Sequence, residues 1–156
     1  MTATILVVDD EENARLNIGS FLTSKGYEVL GAATLSEARE YLSKENADII
    51  LLDVQLPDGY GPALLEEIAH HIYRPPVILI TAYGDIEMAV ESMKSGAFDF
   101  LQKPIQLAQL EKSIQRAQEI VAMRRELDHL RSTQRQLPYN LHTKSRVMQK
   151  IFNQAQ

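Results

Sequence analysis

The strongest constraint on the fold is an alternation. Five short stretches rich in Val, Ile and Leu, TILVVD (4–9), YEVLGA (27–32), DIILLD (48–53), VILIT (77–81) and FDFLQ (98–102), are separated by longer stretches with helical spacing. Runs that are apolar without a break, rather than at every second residue, mark strands buried on both faces. A parallel sheet covered by crossover helices buries them that way. The end signals agree. Leu16, Phe21 and Leu22 lead to Gly26, a left-handed C-terminal cap. Thr34 and Glu37 have the spacing of a capping box ahead of LSEAREYLSKE, and DIEMAVESMKSG stops at Gly96. The pattern predicts an α/β fold, a doubly wound five-stranded parallel sheet in a (βα)5 arrangement over about residues 3–118.

Beyond Leu107 the character changes. Gly96 is the last glycine, and no proline falls between Pro104 and Pro138, so one helix is expected from Leu107 to about Leu137. Its first stripe, Leu107, Leu110, Ile114, Ala117 and Val121, suits a sheet. A second stripe, Ile120, Met123, Leu127, Leu130 and Leu137, has a coiled-coil period and is out of register with the first. One helix is thus expected to serve two partners, its own sheet and then a helix of a second copy, giving a homodimer.

Charge divides the chain at the same place. Residues 1–106 carry 7 Lys/Arg against 17 Asp/Glu, whereas residues 107–156 carry 9 against 4. Acidic residues are interleaved in the basic tail and no aromatic platform accompanies them, so a solvated helix surface is expected there rather than a nucleic-acid site. The absence of cysteine excludes a disulfide framework and thiolate metal sites. MTATILVVDD lacks the basic region of a signal peptide and no apolar run approaches membrane-spanning length, so a cytoplasmic location without membrane association is expected.

In a doubly wound sheet the ligand site lies at the carboxyl ends of the strands. Those ends carry Asp9 and Asp10, Asp53, Thr81 and Lys103. Each alone has a bland reading, since an Asp after a strand is usually a helix cap or a turn residue, as Asp58 would be, and Lys-Pro is usually a loop. Jointly they describe chemistry. Three close carboxylates repel one another unless a lysine and a hard cation offset them, and Mg²⁺ prefers few carboxylates, several waters and a phosphate oxygen. A carboxylate nucleophile in that setting points to phosphoryl transfer and an aspartyl phosphate.

ILVVDDEE, IILLDVQLPDGYG, VILITAYGD and GAFDFLQKP together resemble the receiver domain of two-component response regulators, with its flavodoxin-like fold. The resemblance implies that Asp53 is the phosphoacceptor and that Asp9, Asp10 (directly), Asp53 and the backbone carbonyl of Gln55 hold Mg²⁺. It implies that Thr81 and Lys103 contact phosphoryl oxygens, that the Lys103–Pro104 bond is cis, and that a sensor histidine kinase is the partner. The switch pair falls on Thr81 and Phe100, and Phe100 stands where many members have a tyrosine. GDIEMAVESMKSGAFDFLQKP followed by a long helix is similar to sigma-54-dependent activators of the nitrogen regulatory protein C group, and KSRVMQKIFNQA (144–155) is similar to the opening of their AAA+ ATPase domain. The expected division is a receiver domain over 1–118, a helical linker over 119–139 and the start of an ATPase domain over 140–156. ATP, sigma-54 RNA polymerase and DNA would be partners of the full-length protein. No G-x-x-x-x-G-K-[ST] motif or helix-turn-helix occurs within the 156 residues, so no ATPase or DNA-binding function is expected of this segment.

The rivals are less suited to the residues. A haloacid-dehalogenase-type phosphatase expects a second Asp two positions after the nucleophile, where this chain has Gln55. A nucleotide-binding module wants a glycine-rich loop where DDEENAR stands. A purely structural dimerisation module explains the tail but not the acid cluster; the alternative that stays open is a stand-alone receiver used as a dimerisation or protein-interaction module without a DNA-binding output. Tyr83, two residues after Thr81, is expected to hinder water at the acyl phosphate, and none of His70, His71, His129 and His142 is assigned a chemical role.

Overall fold

The computed structural model describes residues 3–44, 47–70, 74–82 and 86–135, with side chains described as far as Leu130. Tyr83, His71, His142, Leu137 and the expected 140–156 segment lie outside the described residues. The elements run β1 (Thr4–Val8), α1 (Glu12–Ser24), β2 (Glu28–Ala32), α2 (Leu35–Lys44), β3 (Ile49–Asp53), β4 (Gln55–Leu56), β5 (Gly59–Tyr60), α3 (Ala63–Ala69), β6 (Val77–Thr81), α4 (Ile86–Lys94), β7 (Asp99–Gln102) and α5 (Leu107–Arg135). Five strands pair in parallel in the order β2-β1-β3-β6-β7. The direction of strand order reverses at β1/β3, which places the crevice of the fold at the carboxyl ends of those two strands.

Alternate residues of the strands feed two cores. Leu6, Val8, Ile50, Leu52, Val77 and Leu79 pack with Leu35 and Ala38 of α2 and Leu64, Leu65 and Ile68 of α3. Ile5, Val7, Ile49, Leu51, Ile78 and Ile80 pack with Ile18 and Leu22 of α1 and Leu110, Ile114 and Ala117 of α5. Every residue of β3 and β6 is buried, which is why those strands read as unbroken apolar runs. Among the described residues no helix is long and apolar enough to cross a membrane.

The end signals act as predicted at Gly26 and Gly96, whose φ angles of 96° and 115° lie in the left-handed region. At α2 the cap is richer than the sequence suggests. Thr34 Oγ1 accepts from the Glu37 N–H at 3.1 Å, but the Glu37 carboxylate takes the N–H of Ala33, not that of Thr34. Asp58, in the turn between β4 and β5, accepts from the N–H groups of Leu35 and Ser36 at 2.9 and 3.0 Å. That turn belongs to a two-stranded hairpin that has no counterpart in the sequence pattern.

The chain divides after Val121 into two compact units. Within the first, Leu110, Ile114 and Ala117 are fully buried and Val121 packs at the margin, whereas Leu107 is 47% exposed. Leu107 is the first residue of α5 and so departs from its stripe. In the second unit Met123, Leu127 and Leu130 are 60%, 51% and 53% exposed.

Candidate functional site

Chain direction and strand order bring the predicted residues to one edge. Asp9 follows β1, Asp53 ends β3, Thr81 ends β6, and Lys103 follows β7. Asp9, Asp10 and Asp53 each present a carboxylate oxygen, all lying within 4.8 Å of one another. Asp9 and Thr81 are fully buried and Asp53 nearly so, while Asp10 and Gln55 are exposed. Lys103 reaches back over the cluster. Its Nζ stands 2.9 Å from Asp53 Oδ2, 3.5 Å from Asp9 Oδ2 and 3.7 Å from Glu11 Oε1.

The backbone sets these side chains. Asp9 continues the sheet for one further bond, its N–H donating to the Ala32 carbonyl, and its Oδ1 accepts from the Glu11 N–H at 2.9 Å. Arg15 of α1 donates to the Asp9 carbonyl at 2.6 Å. Asp53 Oδ1 accepts from the Gln55 N–H at 3.1 Å, which leaves Oδ2 for Lys103. The Lys103 N–H donates to the Thr81 carbonyl at 2.8 Å, and the Lys103–Pro104 bond is cis. Phe100 is half-buried against the core on the α2–α3 side of the sheet.

Burial pushes the Asp9 carboxyl above the usual range and the charge of Asp53 pushes the same way; the Glu11 N–H and Lys103 offset only part of this. Burial would lower Lys103, but the hydrogen bond and charge of Asp53, with Asp9 and Glu11, carry it above its ordinary value. The lysine is therefore an ammonium throughout the physiological range. Asp9 Oδ2 is buried without a hydrogen-bond partner among the described residues. A desolvated carboxylate oxygen that only the Lys103 ammonium faces, at 3.5 Å, next to two more carboxylates, fits a hard divalent cation, and the all-oxygen donor set suits Mg²⁺.

Three residues of the site were not singled out from sequence. Glu11 adds a third carboxylate facing Lys103, after Asp53 and Asp9, and Arg15 fixes the Asp9 carbonyl. Gly61 packs directly on the Asp53 backbone: a Cβ there would meet the Asp53 carbonyl oxygen at 2.1 Å. Its own N–H donates to the Val54 carbonyl at 2.6 Å. Only glycine allows the β4–β5 hairpin to close this tightly behind the acid.

A doubly wound parallel sheet with three acids, a hydroxyl and a lysine at one edge defines a class of phosphoryl-accepting signalling domains. The response regulator receiver domain family matches residues 5–115, and the chain belongs to that family. Among curated proteins it is similar to regulatory protein AtoC of Escherichia coli (strain K12), 37% identical over 126 residues, covering 81% of this chain and 27% of that protein. It is also similar to response regulator protein PilR of Pseudomonas aeruginosa, 39% identical over 109 residues, covering 70% of this chain and 24% of that protein. The chain thus spans about a quarter of the length of these relatives. Among solved structures, NtrX from Brucella abortus in complex with ADP superposes with a TM-score of 0.77 at 34% identity, over 83% of this chain and 30% of that one. The receiver domain of the same NtrX superposes with a TM-score of 0.70 at 34% identity, over 74% of this chain and 98% of that one.

Proposed function

We propose that Asp53 is the phosphoacceptor of this receiver domain, taking its phosphoryl group from a sensor histidine kinase. The observation that carries this reading is the convergence of Asp9, Asp10, Asp53 and Lys103 on one sheet edge, with a buried Asp9 oxygen that accepts no hydrogen bond among the described residues. An Asp53 carboxylate oxygen attacks phosphorus as the P–N bond to the kinase histidine breaks. Asp9, Asp10, Asp53 and the Gln55 carbonyl would hold Mg²⁺, which when bound neutralises charge on the carboxylates and the phosphoryl oxygens. Lys103 is already 2.9 Å from Asp53 and can move its ammonium to a phosphoryl oxygen; Thr81, fully buried at the end of β6, can donate its hydroxyl to another. These residues position the phosphoryl group and neutralise its charge, the main demands of phosphoryl transfer.

The segment is a signalling acceptor, not a turnover enzyme, and any ATP hydrolysis belongs to the longer protein. We assign residues 1–118 to the receiver, 119–139 to a helical linker and 140–156 to the start of an AAA+ domain, as in a sigma-54-dependent activator, with a homodimer through Ile120, Met123, Leu127 and Leu130. The match to about a quarter of AtoC and PilR supports a receiver within a longer regulator. The exposure of Met123, Leu127 and Leu130 supports the dimer. ATP, sigma-54 RNA polymerase and DNA would be partners of that longer protein, and the location would be cytoplasmic.

Incubation with acetyl phosphate tests the reading: phosphorylation is expected with Mg²⁺ and lost on chelation. Equal phosphorylation with and without Mg²⁺ would contradict the metal assignment.

A further inference from the structure

Among the described residues two buried side-chain polar atoms lack a hydrogen-bond partner, Asp9 Oδ2 and Gln102 Nε2. The first belongs to the acid cluster. The second is not accounted for by it, and a buried amide N–H with no acceptor is a cost that folded proteins rarely leave in place.

The register places Gln102. β6 and β7 are parallel, with Leu79 opposite Phe100 and Thr81 opposite Gln102. Leu79 and Phe100 share one core, and strand side chains alternate with a period of two. Thr81 and Gln102 therefore project from the same face as immediate neighbours on adjacent strands, whose spacing of about 4.8 Å a glutamine side chain can bridge. On this face of β7 the other side chain is that of Phe100, which has no hydroxyl, so Gln102 supplies the strand's polar group beside Thr81.

Thr81 itself is weakly engaged. Its Oγ1 donates to the Leu101 carbonyl at 3.5 Å, the long limit for such a bond. A hydroxyl has one proton and two lone pairs. If the proton turns to a phosphoryl oxygen on Asp53, the Leu101 bond is given up and a lone pair of Oγ1 becomes free to accept.

We propose that Gln102 is a positioning residue that acts through Thr81. Its Nε2–H donates to Thr81 Oγ1 when the Thr81 hydroxyl donates to the phosphoryl group. The amide, which has no partner among the described residues, gains one when Thr81 turns to the phosphoryl group, so its burial biases the equilibrium toward the phosphorylated arrangement. This rests on the assignment of Asp53 and Thr81 made above.

The test uses the 156-residue chain with Mg²⁺, comparing melting temperatures with and without beryllofluoride as the phosphoryl mimic. Gln102→Met keeps the length of the side chain and removes the amide. It is expected to raise the melting temperature without beryllofluoride and to cut the beryllofluoride-induced increment by about half or more. In a Thr81→Val background, which has no hydroxyl to accept, Gln102→Met should leave the increment unchanged. An increment equal to wild type in Gln102→Met overturns the proposal, as does an equal fall in the Thr81→Val background. Should Gln102→Met not fold, Gln102→Leu, which also lacks the amide and adds no charge, decides by the same criterion. A wild-type chain with no increment at all would mark failure of the receiver assignment itself. That outcome is distinct from a normal increment that Gln102 does not influence.

Discussion

The carboxyl edge of the sheet and the outer part of α5 break opposite rules of soluble folding. At the edge, Asp9 is fully buried, with one oxygen that accepts no hydrogen bond among the described residues and two further carboxylates within 4.8 Å. Along α5 beyond Val121, Met123, Leu127 and Leu130 leave half or more of their surface in water. Buried polar groups and exposed apolar ones are the informative departures, since the converse is what any stable domain does. The first region gives up stability to hold charge where a phosphoryl group and a cation would neutralise it. The second leaves apolar surface where a partner helix would cover it. On the proposed function both regions would gain from a partner, a cation and phosphoryl group at the edge and a second helix along α5, whereas the part of α5 over the sheet, with Ile114 buried, would not.

That contrast sets the order of expected effects. The largest belongs to the satisfied region: Ile114→Ala should lower unfolding free energy by about 2–5 kcal/mol, read by urea denaturation, as for any fully buried side chain. A loss below about 1 kcal/mol would mean that α5 is loosely held and would erase the distinction between its two parts.

Asp9→Asn should do the reverse. With the buried charge removed, the Mg²⁺-free chain should gain on the order of 1–3 kcal/mol, while the stabilisation by Mg²⁺ expected of the wild-type chain should disappear. Destabilisation without metal would contradict the view that Asp9 is held in place at a cost.

A smaller effect is expected at Asp58, whose hydrogen bonds from the Leu35 and Ser36 N–H groups hold its carboxyl below the usual range. A depressed folded pKa stabilises the fold above the ordinary value of 3.8 and loses that contribution as pH falls through the lower folded value. The gap in urea midpoint between wild type and Asp58→Ala should therefore be full at pH 7 and narrow on acidification below that range. A gap that does not change with pH would show that the carboxylate charge plays no part in capping α2.

The smallest effect on folding belongs to the exposed region. Leu127→Ala should change monomer stability by no more than about 0.5 kcal/mol. Leu127→Asp should abolish the dimer in sedimentation at micromolar concentration. A wild-type monomer in both phosphorylated and unphosphorylated states would remove the dimer and leave the receiver site untouched.

The two regions also differ in how far the sequence discloses them. The five sheet strands are legible because burial on both faces makes them apolar without a break, and the strand ends then place Asp9, Asp53, Thr81 and Lys103 together. The β4–β5 hairpin is not legible, because two-residue strands are shorter than any period. Gly61 is invisible for a tertiary reason: its need for no Cβ arises from the Asp53 carbonyl, eight positions earlier in the chain. Asp58 reads as a turn residue because the helix it caps begins 23 residues before it. Gln102 reads as a polar strand residue, and only the register with Thr81 gives it a neighbour. In α5 both stripes are visible as periodicity, but periodicity does not say which stripe has a partner. Leu107 belongs to the first pattern and is exposed all the same, because it sits at the helix end.

The assignment of Asp53 is tested most directly by intact-mass analysis after acetyl phosphate treatment in the presence of Mg²⁺. One phosphoryl adduct on the wild-type chain and none on Asp53→Ala is the expected result. An adduct at undiminished level on Asp53→Ala would contradict the assignment, since it would place the phosphoryl group on another residue.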